Sequence, residues 1–324
     1  MDIVDGHHHL WATTEYSEFT PYLVNEFLTD AGSVAGLVGT IYLECQSAYD
    51  ENAPAHMRCV GETRFVDQLT RRSSRPAVCA GIVPFADFRL GPKVSEVLEA
   101  HLEASSRVRG IRQCTNWDPD SSLRYEVLKN HEGMMNDAAF RQGFAKLRNY
   151  SLSFDAWVYH PQLSDLLALA RAFPDVPIVV NHLGGPIGIR AYADRSEEVY
   201  DHWRSSIDAL SGCQNVWMKL GGLNMPLSGI RWSQNREALT AQEINEKTRR
   251  YYLYAIDKFS PARCMFESNF PVDKHSCTYK SLWQAFDLMT QGFSSAERAA
   301  MFGATATRFY RLNSTTSDGS QGRS

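Results

Sequence analysis

Short apolar runs alternate with longer amphipathic stretches along almost the whole chain. Eight runs stand out, at residues 3–4, 37–45, 77–83, 108–113, 152–159, 176–181, 216–220 and 263–268. All but the two-residue first run are of strand length, and each lies between turn-forming or polar residues, which is typical of a buried β-strand. The pattern therefore predicts eight strands.

Seven of the stretches between these runs have helical periodicity, at 56–71, 93–106, 137–149, 162–173, 197–211, 240–259 and 279–290. In one of them Leu163, Leu166 and Ala170 form an apolar stripe opposite Asp165. Strands separated by helices predict a parallel sheet covered on its faces. Eight such units predict a single α/β domain over 1–312, a closed (β/α)8 TIM barrel.

An open, doubly wound sheet is the alternative architecture for the same alternation. Such sheets usually carry a glycine-rich phosphate turn after the first strand. Here the first strand runs instead into Asp5-Gly6-His7-His8-His9, so the barrel is favoured.

Composition narrows the class of protein without naming a function. The 324 residues are 44% hydrophobic and 22% charged, with a formal net charge of −4. This balance is ordinary for a globular protein, and the net charge gives no electrostatic case for nucleic acid or an anionic membrane. We expect a cytoplasmic protein, since we see no signal peptide and no apolar run near the ~18 residues that span a bilayer.

The chain has seven cysteines. The cysteines form no CxxC pair and are expected to be free thiols in a reducing compartment. Residues 313–324 are rich in Ser, Thr and Gly and are expected to form a disordered tail. A homodimer is the expected assembly.

The histidines after the first strand are the first candidate for chemistry. In an extended segment residues i and i+2 share a face, so His7 and His9 point the same way. Two imidazoles on one face make half of a metal site. A tag remnant is the alternative, but a tag lies outside the fold and these histidines follow directly on an apolar strand.

Polar groups also follow most of the other predicted strands. In a parallel barrel the carboxyl ends of all strands meet at one mouth, where active sites are built. The candidates are Glu44, Arg112, Asp155, Trp157, Tyr159, His160, Asn181, His182, Lys219, Glu267, Asn269 and Asp273. The long segments 115–136 and 221–241 follow strands four and seven and belong to the same face.

Three segments carry a resemblance to a known family. Residues 5–11 read DGHHHLW, residues 179–186 read VVNHLGGP and residues 265–271 read MFESNFP. In this order they resemble the amidohydrolase superfamily, in the branch of 2-pyrone-4,6-dicarboxylate lactonase and the sugar lactonases. The resemblance implies a barrel that hydrolyses esters, lactones or amides.

The same resemblance implies roles for the histidines. His7 and His9 match the first-strand metal ligands, and His182 matches a ligand or a group that polarises the substrate carbonyl. His160 is a looser match to the ligand on strand five. The implied cofactor is a divalent metal, most simply Zn²⁺, with a metal-independent route through the histidines as the alternative.

One position departs from the family pattern. Where the family ends strand eight in Gly-Ser-Asp-Trp-Pro, with the aspartate as ligand and base, this chain has Asn269. An amide cannot act as a base. Glu267, on the same face, and Asp273, in the following loop, are the candidate proton carriers, with structural ion pairs as their alternative roles.

The predicted function is hydrolysis of a lactone or other carbonyl ester of a small substrate that bears a carboxylate or derives from an aromatic. His182, Glu267, Asn269 and Asp273 are the expected catalytic residues. The substrate is expected to contact Glu44, Arg112, Trp117, Trp157, Tyr159 and Lys219. Arg112 would pair with a substrate carboxylate and the aromatic side chains would wall the ring.

Two other functions compete with this one. A related branch of the superfamily uses Zn²⁺ to decarboxylate aromatic acids. A barrel that has lost its chemistry and only binds a small molecule is favoured by Asn269 but opposed by the retained histidines and Glu267.

Overall fold

Eight parallel strands follow one another in chain order. The protein is seen in a computed structural model that describes residues 1–13, 19–73, 76–230 and 238–312. The strands are β1 (Ile3–His8), β2 (Leu37–Leu43), β3 (Ala77–Val83), β4 (Gly110–Cys114), β5 (Ser153–Trp157), β6 (Ile178–Val180), β7 (Val216–Leu220) and β8 (Cys264–Phe266). Each lies within or overlaps a predicted strand, whereas the predicted tail 313–324 lies outside the described residues.

The strands pair in a circular order. Continuous ladders join β1-β2-β3 and β4-β5-β6-β7-β8. Single parallel bridges, Ile82 with Val108 and Phe85 with Arg112, link β3 to the β4 side. The other junction is a bridge between His8 and Phe270, so the chain has the circular order of the predicted (β/α)8 fold.

Helices cover the outside of the strands. They are α1 (Val24–Ala31), α2 (Val60–Thr70), α3 (Val94–Ala104), α4 (Ala138–Phe144), α5 (Leu163–Ala172), α6 (Ser196–Ser211), α7 (Ala241–Phe259), α8 (Tyr279–Met289), α9 (Ser295–Ala299) and α10 (Thr305–Phe309). None in the described ranges is both long and apolar enough to cross a membrane.

The sequence pattern missed α1, α9 and α10. Helix α1 has an apolar stripe of Val24, Phe27, Leu28 and Ala31, but its eight residues are too few for the period to stand out. Helices α9 and α10 flank a π-helical turn at Ala300–Ala304, and this turn breaks the 3.6-residue period.

The interior of the strands is filled in two levels. Val4, Val179 and Met265 belong to a buried apolar cluster that also contains Tyr310, from the turn after α10. Because side chains alternate along a strand, Glu267 lies on the same face as Met265, one level nearer the carboxyl end. Glu267 therefore lies on the carboxyl-end side of the apolar cluster, while Lys219 and Asp155 are in register with Met265 and Val179.

A buried carboxylate ties β1 to the end of β8. Asp5 accepts hydrogen bonds from the Ser268 amide at 2.8 Å, the Ser268 hydroxyl at 2.6 Å and the Tyr279 hydroxyl at 3.0 Å. Burial raises the pKa of Asp5 to about 6, although these bonds act in the opposite direction. The segment that contains Glu267 is thus fixed against β1.

We predict that Asp5→Ala lowers the free energy of unfolding by about 3 kcal/mol or more, because buried donors lose their acceptor. Urea denaturation at pH 7.5 measures this change. Asp2→Ala, at an exposed position three residues earlier, is the control and should change stability by less than about 0.5 kcal/mol. Equal midpoints for the two variants would show that the Asp5 network contributes nothing.

Candidate active site

Three imidazoles converge at the carboxyl end of the strands. His7 lies in β1, His9 follows β1, and His182 follows β6. The Nε2 atoms of His7 and His9 are 3.1 Å apart, and the ring centroids of His7 and His182 are 4.5 Å apart. All three side chains are buried, so residues distant in sequence form one compact cluster.

Glu267, just after β8, holds this cluster together. Its Oε1 accepts hydrogen bonds from the His182 amide at 2.9 Å and from His182 Nδ1 at 2.7 Å. Its Oε2 lies 2.9 Å from His7 Nδ1, but it lacks the alignment of a hydrogen bond and has no other partner. The buried carboxylate therefore orients His182 and keeps one oxygen available.

The backbone around His182 is adapted to this contact. His182 and Leu183 have φ values of 53° and 54°, a region that residues other than glycine seldom occupy. Gly222, with φ of 71°, faces the His182 ring, and a Cβ there would lie 2.4 Å from Nδ1. Position 222 must therefore be glycine, because any side chain there would displace the His182 ring from its hydrogen bond with Glu267.

The charges in the cluster follow from burial. Burial, helped by the charge of Lys219, lowers the pKa of His7 well below its usual value, and burial and Arg112 do the same for His9. Burial also lowers the pKa of His182 despite Glu267. For Glu267 burial raises the pKa, but His182 and Lys219 outweigh it and the net shift is downward. At neutral pH the site holds neutral imidazoles and an ionised carboxylate.

The hydrogen bonds decide which ring nitrogens carry protons. His9 Nδ1 lies 2.9 Å from the Leu43 carbonyl, which can only accept, so neutral His9 has its lone pair on Nε2. The same argument applies to His182, whose Nδ1 donates to ionised Glu267. A carbonyl or carboxylate partner on the far nitrogen is the usual setting of a metal-binding histidine.

The residues present therefore fit a divalent cation. Among the described residues His7, His182 and Glu267 form a group whose donor atoms lie within 4.8 Å of one another. The unpartnered Oε2 of Glu267 and the lone pair of His9 add to this donor set. Neutral imidazole with one carboxylate is a donor set that suits Zn²⁺.

Arg112 lies beside the imidazoles but is already paired. Its Nε donates to Glu44 Oε1 at 2.9 Å and its Nη2 donates to the Glu44 carbonyl. Nη1 lies 3.3 Å from His7 Nε2. The sequence suggested a free guanidinium that binds a substrate carboxylate, whereas here Glu44 occupies the fork.

Lys219 is the second buried cation and is also paired. Its ammonium lies 2.7 Å from Asp155 Oδ1 and 3.5 Å from His7 Nδ1. The same Asp155 oxygen accepts from the Tyr310 hydroxyl at 2.8 Å and from the Asn181 amide at 3.1 Å. Sequence analysis missed Tyr310 because nothing in the sequence near the chain end shows that it enters the barrel.

Asn269 and Asp273 form a pair of their own. The Asn269 amide donates to Asp273 Oδ1 at 2.8 Å, which turns its carbonyl oxygen away from Asp273. Burial raises the pKa of Asp273 to about 7, in spite of this hydrogen bond. Tyr252 was also missed: it is buried, and its hydroxyl lacks a hydrogen-bond partner. Asn224, likewise missed, is buried and interacts with Asp273.

Aromatic side chains border the imidazoles on the β5 side. The Trp157 ring meets the His182 ring edge-on at 4.7 Å, and Tyr159 packs against Trp157 at 5.9 Å. Trp117, in the segment after β4, is half-buried, and the guanidinium of Arg124 lies 5.1 Å from its ring centroid. Trp157 thus touches the cluster directly, whereas no contact of Trp117 with it is seen.

His160 lies apart from the other histidines. Its Nδ1 accepts from the Ile187 amide at 3.3 Å, and its ring packs against Tyr192 and His202. Burial lowers its pKa to about 3, so the ring is neutral. These contacts support the segment after β6, and the structure does not bring His160 to the group formed by His7, His182 and Glu267.

A cavity of about 1050 Å³ lies at the opposite end of the barrel. It is lined by the first residues of β1, β2 and β3 and by the C-terminal helices, including Val4, Gly39, Ala77 and Arg308. No histidine lines it. The chemistry of the side chains therefore places the candidate site at the carboxyl end.

A parallel (β/α)8 barrel with buried histidines and a carboxylate at the carboxyl ends of its strands is the architecture of a barrel enzyme. In agreement, a model of the amidohydrolase family matches residues 4–312. The chain belongs to this family and is an amidohydrolase-type hydrolase.

Three relatives show how far the likeness extends. Protein y4mH of Sinorhizobium fredii, whose role is uncharacterised, is 33% identical, covering 96% of this chain and 98% of that protein. An L-fucono-1,5-lactonase of Burkholderia multivorans is 25% identical, covering 95% and 96%. An amidohydrolase structure from B. multivorans with bound Zn has a TM-score of 0.75 at 23% identity, covering 97% and 100%.

We predict that Lys219→Met lowers the free energy of unfolding by about 3–5 kcal/mol, because the Asp155 carboxylate would remain buried without its counter-charge. Urea denaturation measures the loss. Lys258→Met removes a partly exposed lysine beside Asp208 and should cost no more than about 1 kcal/mol. Equal losses in the two variants would contradict a structural role for the Lys219 pair.

Proposed function

We propose that the protein hydrolyses a small lactone, with Glu267 as the group that carries the proton. The observation behind this proposal is the unpartnered Oε2 of Glu267, fully buried beside His7 and His182. A buried ionised oxygen without a hydrogen bond is costly unless something binds to it, and a water molecule or a cation meets that need. The lactonase among the relatives supports a cyclic ester as the substrate class.

In the proposed reaction the oxygen of a water molecule attacks the acyl carbon of the lactone. Glu267 accepts a proton from that water, and its lowered pKa keeps it ionised for this step at neutral pH. The bond between the acyl carbon and the ring oxygen then breaks. Glu267 returns the proton to the ring oxygen, and the product is an open-chain hydroxy acid.

Other side chains of the cluster position the reacting groups. His182 is fixed by its two hydrogen bonds to Glu267 and by the edge of Trp157. We propose that the Asn269 carbonyl oxygen, oriented by Asp273, accepts a hydrogen bond from the substrate or from water. Asn269 cannot take the proton itself, which leaves this role to Glu267.

A divalent cation, in the first instance Zn²⁺, would be held by the imidazoles of His7, His9 and His182, which leaves Oε2 of Glu267 for the proton. When bound it would supply Lewis-acid polarisation of the carbonyl and a more acidic water. Neutral His9 and His182 present lone pairs rather than N–H groups on Nε2, which favours this arrangement over direct hydrogen bonding from these two histidines to the carbonyl.

We predict that purified protein opens one or more rings in a panel of sugar lactones and simple aliphatic lactones, followed by acid release in a weakly buffered indicator assay. Glu267→Gln keeps the shape of the side chain but removes the base, so kcat should fall by about a hundredfold or more. Glu103→Gln, exposed on α3, is the control and should retain full activity.

Two results would contradict this proposal. Hydrolysis of no lactone by the folded wild-type protein would remove the substrate class. A folded Glu267→Gln protein with near wild-type kcat would leave the substrate class intact but would exclude Glu267 as the proton carrier.

We predict that metal analysis finds about one divalent ion per chain and that a chelator removes both the ion and the activity. Zn²⁺ should restore activity to the wild type. His9→Ala and His182→Ala should show weaker metal binding, measured by competition with a chromogenic chelator. Full activity in metal-free protein would instead support the metal-independent route.

A further inference from the structure

The strand ends carry a charge pattern that bears on substrate choice. Resting on the proposed lactone hydrolysis, we infer that Glu44 is a specificity-determining residue. By occupying the guanidinium of Arg112, Glu44 makes the site select neutral, hydroxylated lactones over lactones that carry a carboxylate.

The guanidinium of Arg112 is already bound along one of its edges. A guanidinium binds a carboxylate best through two parallel N–H groups. In Arg112 the edge formed by Nε and Nη2 is already bound to the Oε1 and the main-chain oxygen of Glu44. Only Nη1 faces the imidazoles, 3.3 Å from His7 Nε2. A substrate carboxylate would have to displace a buried ion pair to gain the favourable two-point contact.

The other buried cation, Lys219, is paired as well. Among the described residues Arg112 and Lys219 are the only buried basic side chains apart from histidines. Lys219 is engaged by Asp155 at 2.7 Å. An incoming carboxylate would therefore find both cations neutralised.

Buried carboxylate oxygens at the strand ends lack hydrogen-bond donors. Oε2 of Glu44 and Oε2 of Glu267 are both buried and lack hydrogen-bond partners. A carboxylate substrate would add further acceptors and a like charge beside Glu44, which is unfavourable in a buried site. Hydroxyl groups donate hydrogen bonds, so a polyhydroxylated neutral lactone is the complementary ligand.

Specificity against a charged competitor often depends on a repulsive group rather than on a new attractive one. Glu44 is suited to this role because its buried side chain, 2% exposed, holds the Nε edge of Arg112, whose Nη1 faces the imidazoles. The Glu44 carboxylate repels an anionic substrate, and it occupies the edge of the Arg112 guanidinium that would otherwise bind that substrate. Removing its charge should change the preference between substrates rather than only the rate.

The test uses two lactones that differ only in the group at C6, which is neutral in one and a carboxylate in the other. D-Glucono-1,4-lactone ends in a hydroxymethyl group, and D-glucaro-1,4-lactone has a carboxylate in its place. We expect the wild type to have the higher kcat/KM for the gluconolactone. In Glu44→Gln the ratio of kcat/KM for glucarolactone to that for gluconolactone should rise about tenfold or more. Binding of D-glucarate relative to D-gluconate, measured by calorimetry, should shift in the same direction.

A matched control and a second variant separate selectivity from damage. Glu103 is an exposed glutamate on α3. Glu103→Gln removes a carboxylate that lies outside the site and should leave the substrate ratio unchanged. Glu44→Gln/Arg112→Gln carries no unpaired guanidinium, and its ratio should return to the wild-type value.

The outcomes distinguish this inference from the proposed function. Equal or preferential hydrolysis of the glucarolactone by the wild type, or an unchanged ratio in folded Glu44→Gln, overturns the role of Glu44 while lactone hydrolysis stands. If the wild type opens neither compound nor any lactone of the wider panel, the proposed function and this inference fall together.

Discussion

The candidate site depends on one buried carboxylate that reaches two strand ends at once. Glu267 follows β8, yet its oxygens contact His182 after β6 and approach His7 in β1. A charged group in such a place is stable only if the surrounding donors are fixed, and the two bonds from His182 meet part of that requirement. The unusual backbone of His182 and the glycine at 222 follow from the same constraint.

Charge pairing organises the rest of the mouth. Glu44 with Arg112 and Asp155 with Lys219 form two buried ion pairs on either side of the imidazoles. Burial and the charges of Lys219 and Arg112 keep the histidines between the pairs neutral, and His182 and Lys219 keep Glu267 ionised. Such a site has two features of a hydrolase, namely lone pairs that can hold a cation and a base that can hold a proton. Family membership is consistent with this chemistry.

Regular periodicity was the part of the fold that could be predicted. All eight predicted strands are present, because a parallel barrel buries each strand on both faces and so leaves a continuous apolar run. Helix α1 and the helices around the π-turn were missed since they are short or irregular. For the site, the spacing of His7 and His9 predicted their shared face, and their Nε2 atoms do meet. The looser match at His160 instead packs against Tyr192 and His202, because its ring turns toward the segment after β6.

The sequence by itself determined which segments form strands and which side chains follow them, since alternation and strand polarity are local properties. These side chains include the histidines and Glu44, Arg112, Lys219 and Glu267 at the mouth. Which acid pairs with which base was decided only by the tertiary structure. Register and side-chain direction bring Glu44 to Arg112, Asp155 to Lys219, and Tyr310 to Asp155 from the far end of the chain. These partners are 68, 64 and 155 residues apart, and contacts over such distances are set by packing rather than by any local pattern.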